Sequence, residues 1–178
     1  PNANIHVIDT RHASGTLAMM ALTAAKLAQN NDSANAIVIH LERTAANYKH
    51  YGLTNTVEFL KYSGLCPKII AVGVNLLNAK FEITMKEDNT FDAQIVGTSM
   101  EKAIANYLSN IFKNLQKIDP KIIFIMHTIN EGEDKYFLKL YRNIEDLQYF
   151  QEIVVCGGGH HTTSLVGKGG FSVAYKLK

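Results

Sequence analysis

Apolar and polar positions change period several times along this chain, and each change marks an element. Ile5 to Asp9 is a short apolar run that predicts a buried strand. Ser14 followed by Leu17, Met20, Ala21, Ala24 and Leu27 predicts a capped helix with one apolar stripe. A second helix is expected to start at Asp32 or Ser33 and run to about Tyr51, burying Ile37, Leu41, Ala45 and Tyr48 before Gly52 stops it. A short helix over 56–62 follows. Ser63-Gly64, with Pro67 just beyond, is the expected domain boundary, because a Gly pivot and a Pro punctuate two apolar segments.

Past that boundary, 69–77 is apolar enough for a buried helix. Phe81, Ile83 and Met85 then alternate with Glu82, Thr84 and Lys86, and Phe91, Ala93 and Ile95 alternate with Asp92 and Gln94. That period of two predicts an antiparallel hairpin with one wet face. Thr98-x-x-Glu101 has the form of a capping box ahead of Met100, Ile104, Leu108, Ile111 and Leu115, a helix expected to end near Asp119-Pro120. The run 121–126 lacks alternation, as a strand covered on both faces does. A helix over 133–147, a strand from Glu152 to Cys156, a Gly-rich loop and a last strand from Phe171 to Leu177 complete the pattern.

The expected fold class is therefore α/β, a mixed β-sheet with helices on both faces that contains an antiparallel hairpin. Two portions are expected: residues 1–63, a strand plus helices, and residues 64–178, a second α/β unit. With 178 residues and 47% apolar content the chain can bury a core. Eighteen basic against sixteen acidic groups give a net charge of +2, without a Lys/Arg cluster dense enough to track phosphates, so nucleic acid is not an expected partner. The spaced Lys113, Lys117 and Lys121 read as a solvated helix end. Cys66 and Cys156 are far apart and fit no metal-binding spacing, which suits a reducing compartment, so the expected location is cytoplasmic. No apolar run approaches the roughly 18–20 residues of a membrane span. The chain starts at Pro1 and enters an apolar run almost at once, as expected of a sequence entered mid-fold.

The densest concentration of candidate chemistry lies between Cys156 and Gly170, where His160, His161, Thr162, Thr163 and Ser164 sit among glycines directly after a predicted strand. Loops at strand carboxyl ends bind ligands in open α/β sheets, glycines let backbone N–H groups approach an anion, and hydroxyls can hold a carboxylate or phosphate. The alternative is that the glycines serve tight turns and close packing. A phosphate-binding loop at Gly167-Lys168 fails, since Gly169 stands where Ser or Thr is required and a strand is expected to follow. The dinucleotide fingerprint spacing is absent. Adjacent His160 and His161 point apart on extended backbone and have no carboxylate near in sequence, which disfavours metal, and no cofactor is expected. Ser164 near His161 lacks an orienting acid and a nucleophile elbow. Asp9, Thr10, Arg11 and His12 could face a cleft, but fit better as a strand-end network with Asp9 accepting backbone N–H bonds and Arg11 pairing with an acid. Glu131, Glu133 and Asp134 read as a helix N-terminus.

Three segments together resemble the later part of the DegV family of bacterial proteins. Val7-Ile8-Asp9-Thr10 precedes Ser14-Gly15 where that family has Val-Ile-Asp-Ser before a Gly-containing helix. Residues 55–66 follow the family's Asp-Thr-Leu-Glu-Tyr-Leu-Lys-x-Gly-Gly-Arg-Ile, with Leu65 at the Arg position. Residues 75–80, Asn-Leu-Leu-Asn-Ala-Lys, resemble Leu-Leu-Asn-Ile-Lys-Pro ahead of the hairpin. Residues 163–170 occupy the place of Gly-Thr-His-Thr-Gly-Pro-Gly-Ala, with Leu165 at the His position, and Gly97 stands where the hairpin usually ends in Arg.

The resemblance implies the C-terminal portion of a two-domain fold that holds one long-chain fatty acid in an interdomain cleft and is not itself an enzyme. It implies a fatty-acid kinase as partner, with catalysis belonging to the kinase. On this basis His160, His161, Thr163, Ser164 and Leu165 are expected near the ligand, and Gly64 and Leu65 at the interdomain rim. Two other readings stay open: an interaction or regulatory module without lipid, and a small-molecule enzyme using the Gly-rich loop and His160.

Overall fold

The computed structural model describes residues 4–66, 78–86, 90–129 and 135–178. Its elements in chain order are α1 (Ser14–Gln29), α2 (Ala34–Thr44), β1 (Tyr48–Thr54), α3 (Glu58–Ser63), β2 (Lys80–Met85), β3 (Phe91–Gly97), α4 (Met100–Phe112), β4 (Ile123–His127), α5 (Lys135–Glu145), β5 (Ile153–Gly157), α6 (His160–Val166) and β6 (Phe171–Lys176). Six strands form one sheet in the order β3-β2-β1-β6-β4-β5. β4 and β5 are parallel and the other neighbours antiparallel, so the sheet is mixed, as expected.

Strand periodicity assigns the two faces. In β6, Phe171, Val173 and Tyr175 join the largest core with Ile104, Tyr107 and Leu140 of α4 and α5, while Ala174 joins Met19, Met20 and Leu41 of α1 and α2. Side chains paired across a ladder share a face. Ala174 pairs with His50, Ser172 with Gly52, and Gly52 with Ile83, so the α1/α2 face runs without a break to β2. There Phe81 and Ile83 pack with Val57, Leu60 and Cys66 beneath α3 and α6. Helices therefore cover both faces of the sheet. β1 lies between β2 and β6, so the portions on either side of Ser63-Gly64 share one sheet.

Several local expectations are corrected. Residues 4–13 form no strand, and Ile5 and Val7 are exposed, because no sheet edge receives them among the described residues. Ser14 does not cap α1; Ala13 holds the N-cap position without a side-chain bond, and the Ser14 hydroxyl donates to the Met126 sulfur. The buried stripe of α1 is Gly15, Thr16, Met19 and Met20, with Leu17 exposed. A Cβ on Gly15 would meet the Ala174 Cβ at 2.9 Å, which is how closely α1 rests on β6. The second helix begins after the Ser33 cap, as expected, but ends at Thr44. Residues 48–54 are strand because Tyr48, His50 and Gly52 alternate with Tyr51 and Leu53 between opposite faces. Ile37, Leu41, Ala45 and Tyr48 nevertheless pack together, as the helical reading required.

The expected antiparallel hairpin forms from β2 and β3, yet its second face is not wet at Glu82. That carboxylate is 2% exposed and accepts from Gln94 Nε2 at 2.9 Å and Asn110 Nδ2 at 3.0 Å. Ser99, not Thr98, caps α4, accepting from the Lys102 N–H, and the helix stops at Phe112. Close approach explains Gly97: a Cβ there would lie 2.8 Å from the Ala103 nitrogen. The expected helix over 69–77, and Glu131, Glu133 and Asp134, lie outside the described residues.

Candidate functional site

A cavity of about 190 Å³ opens on the α1/α2 face, between the start of α1 and the pair α3 and α6. Its floor is His50 and Gly52 of β1, Ile83 and Met85 of β2, Met126 of β4 and Ser172 of β6. Ala13, Ser14 and Thr16 close one side; Leu60, Leu65, Leu165 and Val166 close the other. The gap follows from helix placement, since α1 covers β6 and β4 whereas α3 and α6 cover β2 and the far end of β1. Among the described residues, none of the lining side chains is Lys, Arg, Asp or Glu.

Residues 160–166 form a helix where an extended Gly-rich loop was expected. Gly159 precedes it in extended conformation, and Gly167 at φ +74, ψ −175 ends it in a positive-φ extended conformation that only glycine adopts readily. The helix sorts the expected site residues. His161 and Leu165, one turn apart, line the cavity together with Thr162 and Val166. His160 and Ser164 are exposed and lie off the cavity; the Ser164 hydroxyl donates to the His161 carbonyl, and that of half-buried Thr163 to the Gly159 carbonyl. Leu65 lines the mouth. Gly64, at φ +71, makes the turn out of α3 that brings it there. The structure therefore brings His161, Leu165 and Leu65 together and leaves His160, Thr163, Ser164 and Gly64 outside the lining.

Two buried hydroxyls, neither singled out in the sequence, position α6. Thr128 donates to the Gly167 carbonyl at 2.5 Å and accepts from the Gly170 N–H at 2.9 Å, while its own N–H donates to the Gly170 carbonyl. Thr54, at the end of β1, donates to the Val166 carbonyl at 2.8 Å. Both tie the loop 166–170 to strand ends, so the apolar side of α6 is held over the sheet.

His50 was also missed, because in a helical reading of 33–51 it occupies no special place. Its pKa falls from 6.5 to about 4, chiefly through burial and secondarily through the charge of His12, so the ring is neutral at pH 7. Asp9 accepts from the Arg11 N–H and stands 4.0 Å from its guanidinium, the local network expected of that segment, and both are largely exposed. The His12 ring reaches the Ala45 carbonyl at 2.7 Å. Burial raises the pKa of Cys156, and the Cys66 thiol donates to the Phe91 carbonyl at 3.2 Å. Among the described residues no cluster of three or more His, Cys, Asp or Glu side chains could hold a metal ion, and no helix is long and apolar enough to cross a membrane.

The family model described as "Uncharacterised protein, DegV family" matches residues 1–178. Among solved structures, the chain is similar to a fatty-acid-binding DegV family protein from Thermus thermophilus at 25% identity and a TM-score of 0.80, covering 97% of this chain and 61% of that one. It superposes on the Streptococcus pneumoniae Fatty Acid Kinase (Fak) B3 protein loaded with linoleic acid at 20% identity and a TM-score of 0.84, covering 98% and 60% of the two chains. A DegV family protein from Eubacterium eligens loaded with heptadecanoic acid gives 15% identity and a TM-score of 0.85, covering 99% and 62%. The chain thus spans about three fifths of the length of these structures. No curated protein matches it.

Proposed function

The chain belongs to the DegV family, and we propose that it contributes the floor and two walls of a site that holds a long-chain fatty acid. The observation that carries this reading is the cavity itself, apolar on nearly all sides, without a lining charge among the described residues, and built from segments on both sides of Ser63-Gly64. The fatty-acid-loaded neighbours support it.

Magnitude bounds what this part of the site can do alone. An engineered apolar cavity of roughly 150 Å³ takes up benzene, so about 190 Å³ encloses on the order of six to eight carbons. At about 0.8 kcal/mol per buried CH₂ that segment contributes roughly 5–6 kcal/mol, near the low end of the roughly 4–15 kcal/mol that association costs in lost freedom. The remaining carbons therefore have to be covered too. Leu65 at the mouth, 37% exposed, is the exposed large apolar side chain of the described lining.

In this reading the protein is a cytoplasmic carrier and performs no chemistry on the ligand. Its partner would be a fatty-acid kinase that acts on the carboxyl end, a reading supported by the Streptococcus pneumoniae neighbour being named a Fatty Acid Kinase (Fak) B3 protein. His161, at the α6 end of the lining, is the residue proposed nearest that end; Leu165 and Leu65 contact the tail. His160, Thr163, Ser164 and Gly64 act by forming α6 and the rim. Denaturing extraction of purified protein followed by mass spectrometry tests the reading. A stoichiometric acyl acid is expected. Lipid-free protein that also fails to bind added palmitic or oleic acid would leave the interaction module as the better account.

A further inference from the structure

The floor of this apolar cavity carries an imidazole. His50 stands on β1 between Tyr48 and Gly52, paired across the ladder with Ala174, and lines the cavity beside Met126 and Ser172. Its Nε2 is buried and has no hydrogen-bond partner among the described residues. A buried polar atom in that state is penalised unless something in the cavity answers it.

The chemistry of the ring narrows what can. His50 is neutral at pH 7, so Nε2 presents either one N–H or one lone pair. A hydroxyl complements both forms, because it is donor and acceptor at once. A ketone answers only the N–H form, and a carboxylate would be brought to a floor with no Lys or Arg in its described lining. Two hydroxyls line the same cavity: Ser172, 7% exposed, and Ser14, whose O–H is spent on the Met126 thioether, a weak acceptor that it can exchange for oxygen.

We infer that the cavity floor recognises a hydroxyl borne on the acyl chain, through His50 with Ser14 and Ser172, so that a monohydroxylated long-chain fatty acid is the preferred ligand over the plain acid. The inference rests on the fatty-acid reading above. A plain chain covers the imidazole without pairing it, a penalty worth roughly 5- to 100-fold in affinity.

The test is calorimetric titration of the delipidated full chain with stearic acid and with a panel of hydroxystearic acids carrying the hydroxyl at successive carbons. At least one positional isomer is expected to bind about tenfold or more tighter than stearic acid. His50→Leu should collapse that ratio to about one by tightening stearic acid and weakening the hydroxy acid, and His50→Gln should retain part of it. The nitrogen NMR shift of His50 Nε2 in unaltered protein should move with the preferred hydroxy acid and much less with stearic acid, a readout independent of how the variants fold. All isomers binding no better than stearic acid would overturn the inference and leave the fatty-acid reading standing. So would a His50→Leu loss of affinity equal for both ligands, which would place the carboxyl group at His50. Binding of neither acid would overturn the fatty-acid reading and this inference with it.

Discussion

Acidification from pH 7.5 to 4.5 tests whether His50 is held neutral by burial. In the unfolded chain its imidazole takes up a proton near pH 6.5, whereas in the fold it resists protonation until about pH 4. Below pH 6.5 the unfolded state therefore binds more protons than the native state. Stability falls as pH drops through that window and levels off below about 4. The full separation corresponds to about 3 kcal/mol at 1.36 kcal/mol per unit, and most of it is already lost at pH 4.5. The expectation is checked by urea unfolding of lipid-free protein followed by far-ultraviolet circular dichroism, comparing wild type with His50→Leu at both pH values. Other titrating groups cancel in the comparison. The variant should lose about 2–3 kcal/mol less than wild type between pH 7.5 and 4.5. Identical losses, within about 0.5 kcal/mol, would mean that His50 is solvated, and would refute the argument from its buried nitrogen.

Three further substitutions probe the parts that hold the cavity. Thr128→Val removes the hydroxyl shared by the Gly167 carbonyl and the Gly170 N–H, and should cost about 1–3 kcal/mol while speeding amide exchange over 160–170; unchanged exchange would show that the loop is held otherwise. Tyr107 is fully buried, donates to the Tyr51 carbonyl at 2.6 Å and accepts from the Val173 N–H at 3.1 Å, so Tyr107→Phe strands two backbone groups of neighbouring strands. Its denaturation midpoint should fall by the equivalent of about 1–3 kcal/mol, and a midpoint equal to wild type would contradict that accounting. Leu165→Asp puts a carboxylate into the apolar lining and should lower co-purified acyl acid at least tenfold with the fold intact by circular dichroism; retained occupancy would remove α6 from the proposed site.

What the sequence determined by itself was the class of elements wherever one face of an element is buried and the other is not. The alternation of Phe81, Ile83 and Met85 and the spacing of Met100, Ile104, Leu108 and Ile111 carry their period in adjacent residues, and each formed its element. Leu65 and Leu165 were legible as candidate positions through their place in motifs that resemble the family's, and both line the cavity. Tertiary structure decided the rest, for reasons that adjacent residues do not contain. Residues 48–54 satisfy both periods, and only the open edges of β2 and β6 select strand over helix, which turns His50 onto the cavity floor. Ser14 trades a capping role for the Met126 sulfur 112 positions away. Residues 160–166 coil into a helix because Thr128 and Thr54, distant in the chain, anchor its last turn and the loop after it, and that helix divides His161 and Leu165 from His160 and Ser164. Periodicity is a local property, whereas a cavity wall is a sum of long-range contacts, so the wall became visible only once the chain was folded.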